Sequence, residues 1–191
     1  MKTMIQHSEN KFRIMRVVTF TMIIGTILSF TSCDNNSVDE MTDTENPGDM
    51  GTTVMAPAFE LKSLAGNTVK LSDFKNKVVV LFFFGNSCPS CKAAAPNVQT
   101  MIQNTFGSNA SFMLLGIDQW DGNASSVESF MKSTGVTFPL LLMGSSTAKA
   151  YSTTYDRLVV IDKNGNIMFS GKQGAANDLA AVKAKVEALL K

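Results

Sequence analysis

Val78-Val79-Val80-Leu81-Phe82-Phe83-Phe84 is an unbroken apolar run that leads into Gly85-Asn86-Ser87-Cys88-Pro89-Ser90-Cys91-Lys92. So short a run, rich in β-branched and aromatic side chains, reads as a strand covered on both faces rather than as a buried helix. It stops at Gly85. Beyond Cys91, Lys92-Ala93-Ala94-Ala95 favours helix, with Pro96 expected to bend its first turns. A buried strand therefore delivers two cysteines to the start of a helix.

Thiol chemistry asks for that arrangement. The thiolate is the nucleophile, and the free N–H groups and dipole at a helix N-terminus favour negative charge. The spacing predicts Cys88 as an exposed, anion-stabilised thiol at the helix end, with Cys91 one turn deeper. Pro89 restricts the backbone between them and removes an N–H that the first turn does not use. The expected roles are Cys88 as attacking nucleophile and Cys91 as resolving thiol. Two blander readings of the pair stand beside this one. Half of a zinc site would need further ligands, and a structural disulfide closing so short a loop would add little stability.

Several stretches together carry a family likeness. They are Ala58-Phe59-Glu60-Leu61, Val69-Lys70-Leu71-Ser72-Asp73-Phe74 with Lys77, the strand with Cys88-Pro89-Ser90-Cys91-Lys92, Gly135-Val136-Thr137-Phe138-Pro139-Leu140, and Val160-Ile161-Asp162-Lys163-Asn164-Gly165. They resemble the thioredoxin-like redoxins, specifically the AhpC/TSA and ResA/TlpA-type extracytoplasmic branch. The likeness runs from about residue 56 to the end. It implies an α/β thioredoxin-like fold, a central mixed β-sheet flanked by helices, here with an added N-terminal β-hairpin. It also implies protein or small-molecule disulfide or dithiol substrates, an external thiol electron donor, and no cofactor.

The chain departs from that pattern at four places. Such oxidoreductases usually carry a cis-proline opposite the CxxC; counting back from Val160-Ile161-Asp162 puts Asp156 there, and no proline follows Pro139. The aromatic residue often found before the first cysteine is Ser87. The acidic residue buried beneath the pair in thioredoxin corresponds to Phe82. Peroxiredoxins of the two-cysteine type place Thr or Ser three residues before their peroxidatic cysteine, where this chain has Gly85. Their distant arginine falls one residue from Arg157. Asp156 would oppose thiolate formation at Cys88, and Arg157 would favour it, if their loop faces the cysteines.

Residues 1–32 read as an export signal. Lys2, Lys11, Arg13 and Arg16 precede an apolar stretch from Val17 to Phe30 that is short for a membrane span. Thr31 and Ser32 then lead to Cys33, which looks like a lipoprotein cysteine, although Phe30 replaces the usual aliphatic residue. Lipidation there would place the protein outside the cytoplasm, in the periplasm or at the cell surface, tied to the membrane through the lipid. His7, the only histidine, falls in this segment. Its removal would leave one cysteine pair and no imidazole, which excludes Cys–His hydrolases, serine triads and most transition-metal sites.

Residues 33–56 are acidic, small and free of aromatic residues, and read as a flexible tether. Residues 57–191 suit one compact domain. A net charge of +1 leaves no nucleic-acid footprint. Within the domain the pattern predicts a hairpin over Phe59–Leu64 and Thr68–Leu71, a helix from Cys88 to about Phe106, and a buried strand at Ser111–Ile117. A helix capped by Ser125 or Ser126, with Glu128 completing the box, follows. Strand residues Leu140–Met143, a short helix at Ser145–Tyr151, a hairpin at Leu158–Ile161 and Asn166–Ser170, and a helix at Asp178–Leu190 complete the pattern. Three functions fit: a tethered thiol–disulfide oxidoreductase, a thiol peroxidase with Ser87, Ser90 and Arg157 as candidate donors, or a binding module that merely retains its disulfide.

Overall fold

The computed structural model describes residues 54–191. The export signal, His7, Cys33 and most of the expected tether lie outside the described residues. In chain order the elements are strands β1 (Val54–Met55), β2 (Glu60–Lys62), β3 (Thr68–Lys70) and β4 (Val78–Phe84), then helix α1 (Pro89–Val98). A π-helical turn at Gln99–Gln103 carries α1 into α2 (Asn104–Phe106). Strand β5 (Phe112–Asp118), α3 (Ala124–Thr134), β6 (Leu140–Leu141) and α4 (Ser145–Ala150) follow. Strands β7 (Arg157–Ile161) and β8 (Asn166–Ser170) then precede α5 (Ala175–Leu190).

Six strands form one sheet in the order β1-β8-β7-β4-β5-β6. Strand β4 runs parallel to β5, with Phe84 opposite Asp118, and antiparallel to β7, with Phe83 opposite Arg157. Every residue of β4 is buried, as its composition predicts. Alternation splits its side chains between two cores. Val78, Val80, Phe82 and Phe84 face a cluster containing both cysteines, Val127 and Phe130 of α3, and Leu179, Val182 and Val186 of α5. Val79, Leu81 and Phe83 face the other, with Phe59, Leu61, Ala148 and Tyr151. The architecture is the expected mixed sheet between layers of helix, with β2 and β3 as the added hairpin. That hairpin is laced to the edge strand β6 by Leu64 N–H to the Leu140 carbonyl at 3.2 Å and Leu142 N–H to the Lys62 carbonyl at 2.8 Å.

Three local expectations need correction. Val54 and Met55, which composition places in the tether, pair antiparallel with Ile167 and Asn166 at the sheet edge. Helix α3 is capped by Asn123 rather than Ser125 or Ser126: its side chain accepts from Ser126 N–H at 2.9 Å. Asn123, Ser125 and Ser126 lie within four residues and make the cap ambiguous by composition, and the extended backbone at Asn123 decides it. Helix α5 starts three residues before Asp178, and Ala175 is fully buried at its first position.

Tyr151 pins the segment before the hairpin to this frame. Its hydroxyl donates to the Pro57 carbonyl at 2.8 Å and its ring packs on Phe83, centroids 5.6 Å apart. Burial pushes its phenol well above the ordinary range. A phenol raised in the folded state stabilises the fold below its unfolded pKa of about 10, and that contribution is lost as pH rises further. Tyr151→Phe is expected to lose about 1 kcal/mol at neutral pH. Above pH ~10 it should lose less further stability than the unsubstituted protein, as followed by urea denaturation across pH.

Candidate active site

Strand β4 ends at Phe84, and Cys88 N–H donates to the Gly85 carbonyl at 3.0 Å, closing a turn. Cys88 becomes the N-cap of α1, extended at φ −65° and ψ 120°, with Pro89 in the first helical position. Its Sγ accepts from Cys91 N–H at 3.2 Å, the task a serine or aspartate oxygen performs at an ordinary cap. Ser90 Oγ lies 3.2 Å from the same sulfur. Cys91 Sγ accepts from Gly85 N–H at 3.4 Å. The cysteines form a disulfide with Cα atoms 5.3 Å apart. Each sulfur thus sits on a backbone donor, Cys88 on one in the first turn of α1 and Cys91 on one just after β4, and these would face a thiolate once the bond is reduced.

Cys88 was expected to be exposed. The structure leaves it 1% exposed and Cys91 0%. Cys88 belongs to the apolar cluster that includes Phe84, Leu158 and Ala175. Ser87, Pro89 and Ser90 are exposed around it and form the accessible rim.

Asp118 fixes this turn. It closes β5 beside Phe84 and is 0% exposed. Its Oδ1 accepts from Asn86 N–H at 3.1 Å and Trp120 N–H at 3.3 Å; its Oδ2 accepts from Gly122 N–H at 2.7 Å and Asn86 Nδ2 at 3.1 Å. Every partner is a donor, so the carboxylate ties the CxxC turn to the loop after β5. The approach is close enough that a Cβ at Gly122 would collide with the Asn86 amide. Asp118→Asn would set an amide N–H against these donors. It is expected to cost about 1–3 kcal/mol, read from the urea midpoint.

Asp156 and Arg157 reach the expected end of the sheet, since Arg157 stands opposite Phe83. Their polar groups are engaged within the loop. Ala175 N–H donates to both the carbonyl of Asp156, at 3.0 Å, and its Oδ1, at 3.1 Å. Arg157 Nη1 donates to the Asp156 carbonyl at 2.8 Å. Neither residue is among the hydrogen-bond partners of the cysteine sulfurs. Two aromatic residues that the sequence left in loops also arrive here: Trp120 lies over Gly85 and meets Tyr155 edge to face.

The AhpC/TSA family profile matches residues 52–170. The chain belongs to the AhpC/TSA family. The chain is similar to the thiol-disulfide oxidoreductase ResA of Bacillus subtilis, 32% identical over 87 residues, 46% of this chain and 47% of that protein. It is also similar to the thioredoxin-like protein YneN of Bacillus subtilis, 26% identical over 113 residues, 59% of this chain and 66% of that one. The aligned part thus spans between about half and two thirds of the length of these relatives. Among solved structures, a Bacteroides thetaiotaomicron protein assigned as a protein disulfide isomerase aligns at TM-score 0.67 and 32% identity, covering 72% of this chain and 89% of that one. A thioredoxin family thiol:disulfide interchange protein from Chlorobium tepidum shares the fold at TM-score 0.58 and 21% identity, covering 74% and 99%.

Within this AhpC/TSA chain, sequence reasoning missed Asp118, Trp120 and Tyr155. One signal was available for the first. A carboxylate closing Leu114-Leu115-Gly116-Ile117 falls at the end of a buried strand, next to the end of β4 once the two run parallel.

Proposed function

We propose that the protein is a thiol–disulfide oxidoreductase that works from Cys88 and Cys91. The observation that carries this reading is the Cys88 sulfur acting as N-cap of α1, on the Cys91 N–H and beside Ser90 Oγ. In the reduced protein these donors favour a Cys88 thiolate. That thiolate attacks one sulfur of a substrate disulfide; the Cys88–substrate bond forms as the substrate S–S bond breaks, and the departing sulfur leaves as a thiolate that takes a proton. Cys91 thiolate then attacks Cys88 Sγ and releases the second substrate sulfur. The substrate gains two electrons and two protons, and the protein is left with the Cys88–Cys91 disulfide. An external thiol donor restores the dithiol by the same exchange. Run in reverse, the steps oxidise a substrate dithiol. A thiol peroxidase would need donors around Cys88 to hold a peroxide, and Arg157 is instead turned to the Asp156 carbonyl.

Cys91→Ser should accumulate mixed disulfides through Cys88, and Cys88→Ser should accumulate none. In the reduced protein, iodoacetamide should label Cys88 before Cys91 near neutral pH. Non-reducing gels and mass mapping read both results. Equal trapping by the two variants would reduce the pair to a structural disulfide.

The reading extends to location. Residues 1–32 act as an export signal, Cys33 carries lipid, and residues 34–53 tether the domain outside the cytoplasm. It is supported by the basic start, the apolar Val17–Phe30 stretch and the small residues before Cys33. A lipid-anchored protein should fractionate with membranes. The mature protein should carry fatty-acid label at Cys33, Cys33→Ser should lose that label with thiol exchange retained, and label persisting in Cys33→Ser would rule out this anchor.

A further inference from the structure

Five large hydrophobic side chains are exposed among the described residues: Val54, Met55, Trp120, Met143 and Tyr155. The first two lie at the sheet edge, on the opening strand. The other three lie elsewhere. Trp120 comes two residues after Asp118, Met143 two residues after Leu141, and Tyr155 two residues before Arg157. The register puts Asp118 beside Phe84, Leu141 beside Ile117, and Arg157 beside Phe83. All three side chains therefore stand at the end of the sheet from which the CxxC departs.

Trp120 and Tyr155 form an arch there. Strands β5 and β7 flank β4, and the two rings meet over its end with centroids 5.1 Å apart at 77°. A Cβ on Gly85 would fall within the indole ring, so one indole face lies directly on the Gly85 backbone. Trp120 nevertheless stays 43% exposed and Tyr155 40%. Backbone contacts hold the indole in place: Gln119 N–H donates to the Phe84 carbonyl at 2.9 Å, and Trp120 N–H to Asp118. Clustered apolar surface kept in water beside a reactive centre marks a contact site, whereas scattered exposed residues do not.

The charged groups of these loops are engaged in local hydrogen bonds. Asp118 is ringed by N–H donors, Asp121 accepts from Ser145 N–H and Oγ at 3.0 and 2.6 Å, and Asp156 accepts from Ala175. Arg157 donates into its own loop. The large apolar side chains that these loops expose are Trp120 and Tyr155.

We infer that Trp120 and Tyr155 are the substrate-binding platform of the site, and that they select polypeptide disulfides with an aromatic or long aliphatic residue next to the cysteine. This rests on the thiol–disulfide reading above. The side chain beside the substrate cysteine packs on the exposed surface that Trp120 and Tyr155 share, and the substrate sulfur is thereby held at Cys88. The bond changes are those already given. No further reactant is needed.

The test compares two mixed-disulfide peptides that differ only in Phe or Ser beside the cysteine, with hydroxyethyl disulfide as a third substrate. The reduced full-length protein should prefer the Phe peptide by about tenfold in kcat/KM, the range expected for one well-placed aromatic contact. Trp120→Ala should bring the Phe/Ser ratio to about one, Tyr155→Ala should lower it, and Trp120→Phe should keep most of it. Trp120 is the only tryptophan, so a non-reducible thioether version of the Phe peptide should change its emission saturably, and the Ser version should not. No Phe/Ser preference in the unsubstituted protein, or a ratio unchanged in both Trp120→Ala and Tyr155→Ala, would overturn the platform. Failure of the unsubstituted protein to reduce all three substrates would instead overturn the oxidoreductase reading.

Discussion

The site depends on β4 being bonded along both edges almost to its last residue. Its partners are Asp118 opposite Phe84 on one side and Arg157 opposite Phe83 on the other. All seven of its side chains are buried, each large one contributing on the order of 1.5–3 kcal/mol. A strand held on four sides cannot shift its end. The turn that begins at Gly85 therefore starts from a fixed point, and the cap geometry at Cys88 inherits that precision. Sulfur-to-backbone distances near 3.2–3.4 Å are meaningful for chemistry only because the strand beneath them does not move.

Asp118 extends this rigidity from the sheet into its loops. A buried carboxylate is costly unless its lone pairs are met, and here backbone and amide donors meet them from two separate segments. One side chain thus joins the start of the CxxC turn to the loop carrying Trp120. The cysteines and the aromatic surface share a support, so a group resting on the indole has a fixed relation to Cys88.

What was legible in the sequence was local. Strand β4, the helix that starts at Pro89, and the buried stripe Leu179, Val182 and Val186 each declare themselves by period and composition within a few residues. The family likeness supplied the topology that joins them. What was not legible required partners far along the chain. Met55 is an edge strand only because Asn166 lies beside it, and Trp120 reaches Gly85 and Tyr155 only through the pairing of distant strands. The burial of Cys88 has the same origin. Its helix-end position suggested exposure, but Leu158 and Ala175, from distant elements, belong to the cluster that encloses it.

Asp156 shows most clearly how this chain parts from the pattern it resembles. Proline fixes φ near about −65°, cis or trans, whereas Asp156 sits at φ 57°. The loop is therefore not a proline loop with a different side chain; its backbone takes another path. That path is held by Ala175 N–H, which both the Asp156 carbonyl and carboxylate accept, and it ties the entry of β7 to the first turn of α5. Left-handed backbone is tolerable at aspartate because its short side chain can bond locally, and the Ala175 bond offsets the remaining strain. The same path carries Tyr155 to the indole of Trp120 at the strand end. The αL bend at Asp156 and the aromatic arch thus share one cause: the turn that Ala175 holds at Asp156 also sets where Tyr155 stands, against the indole over Gly85.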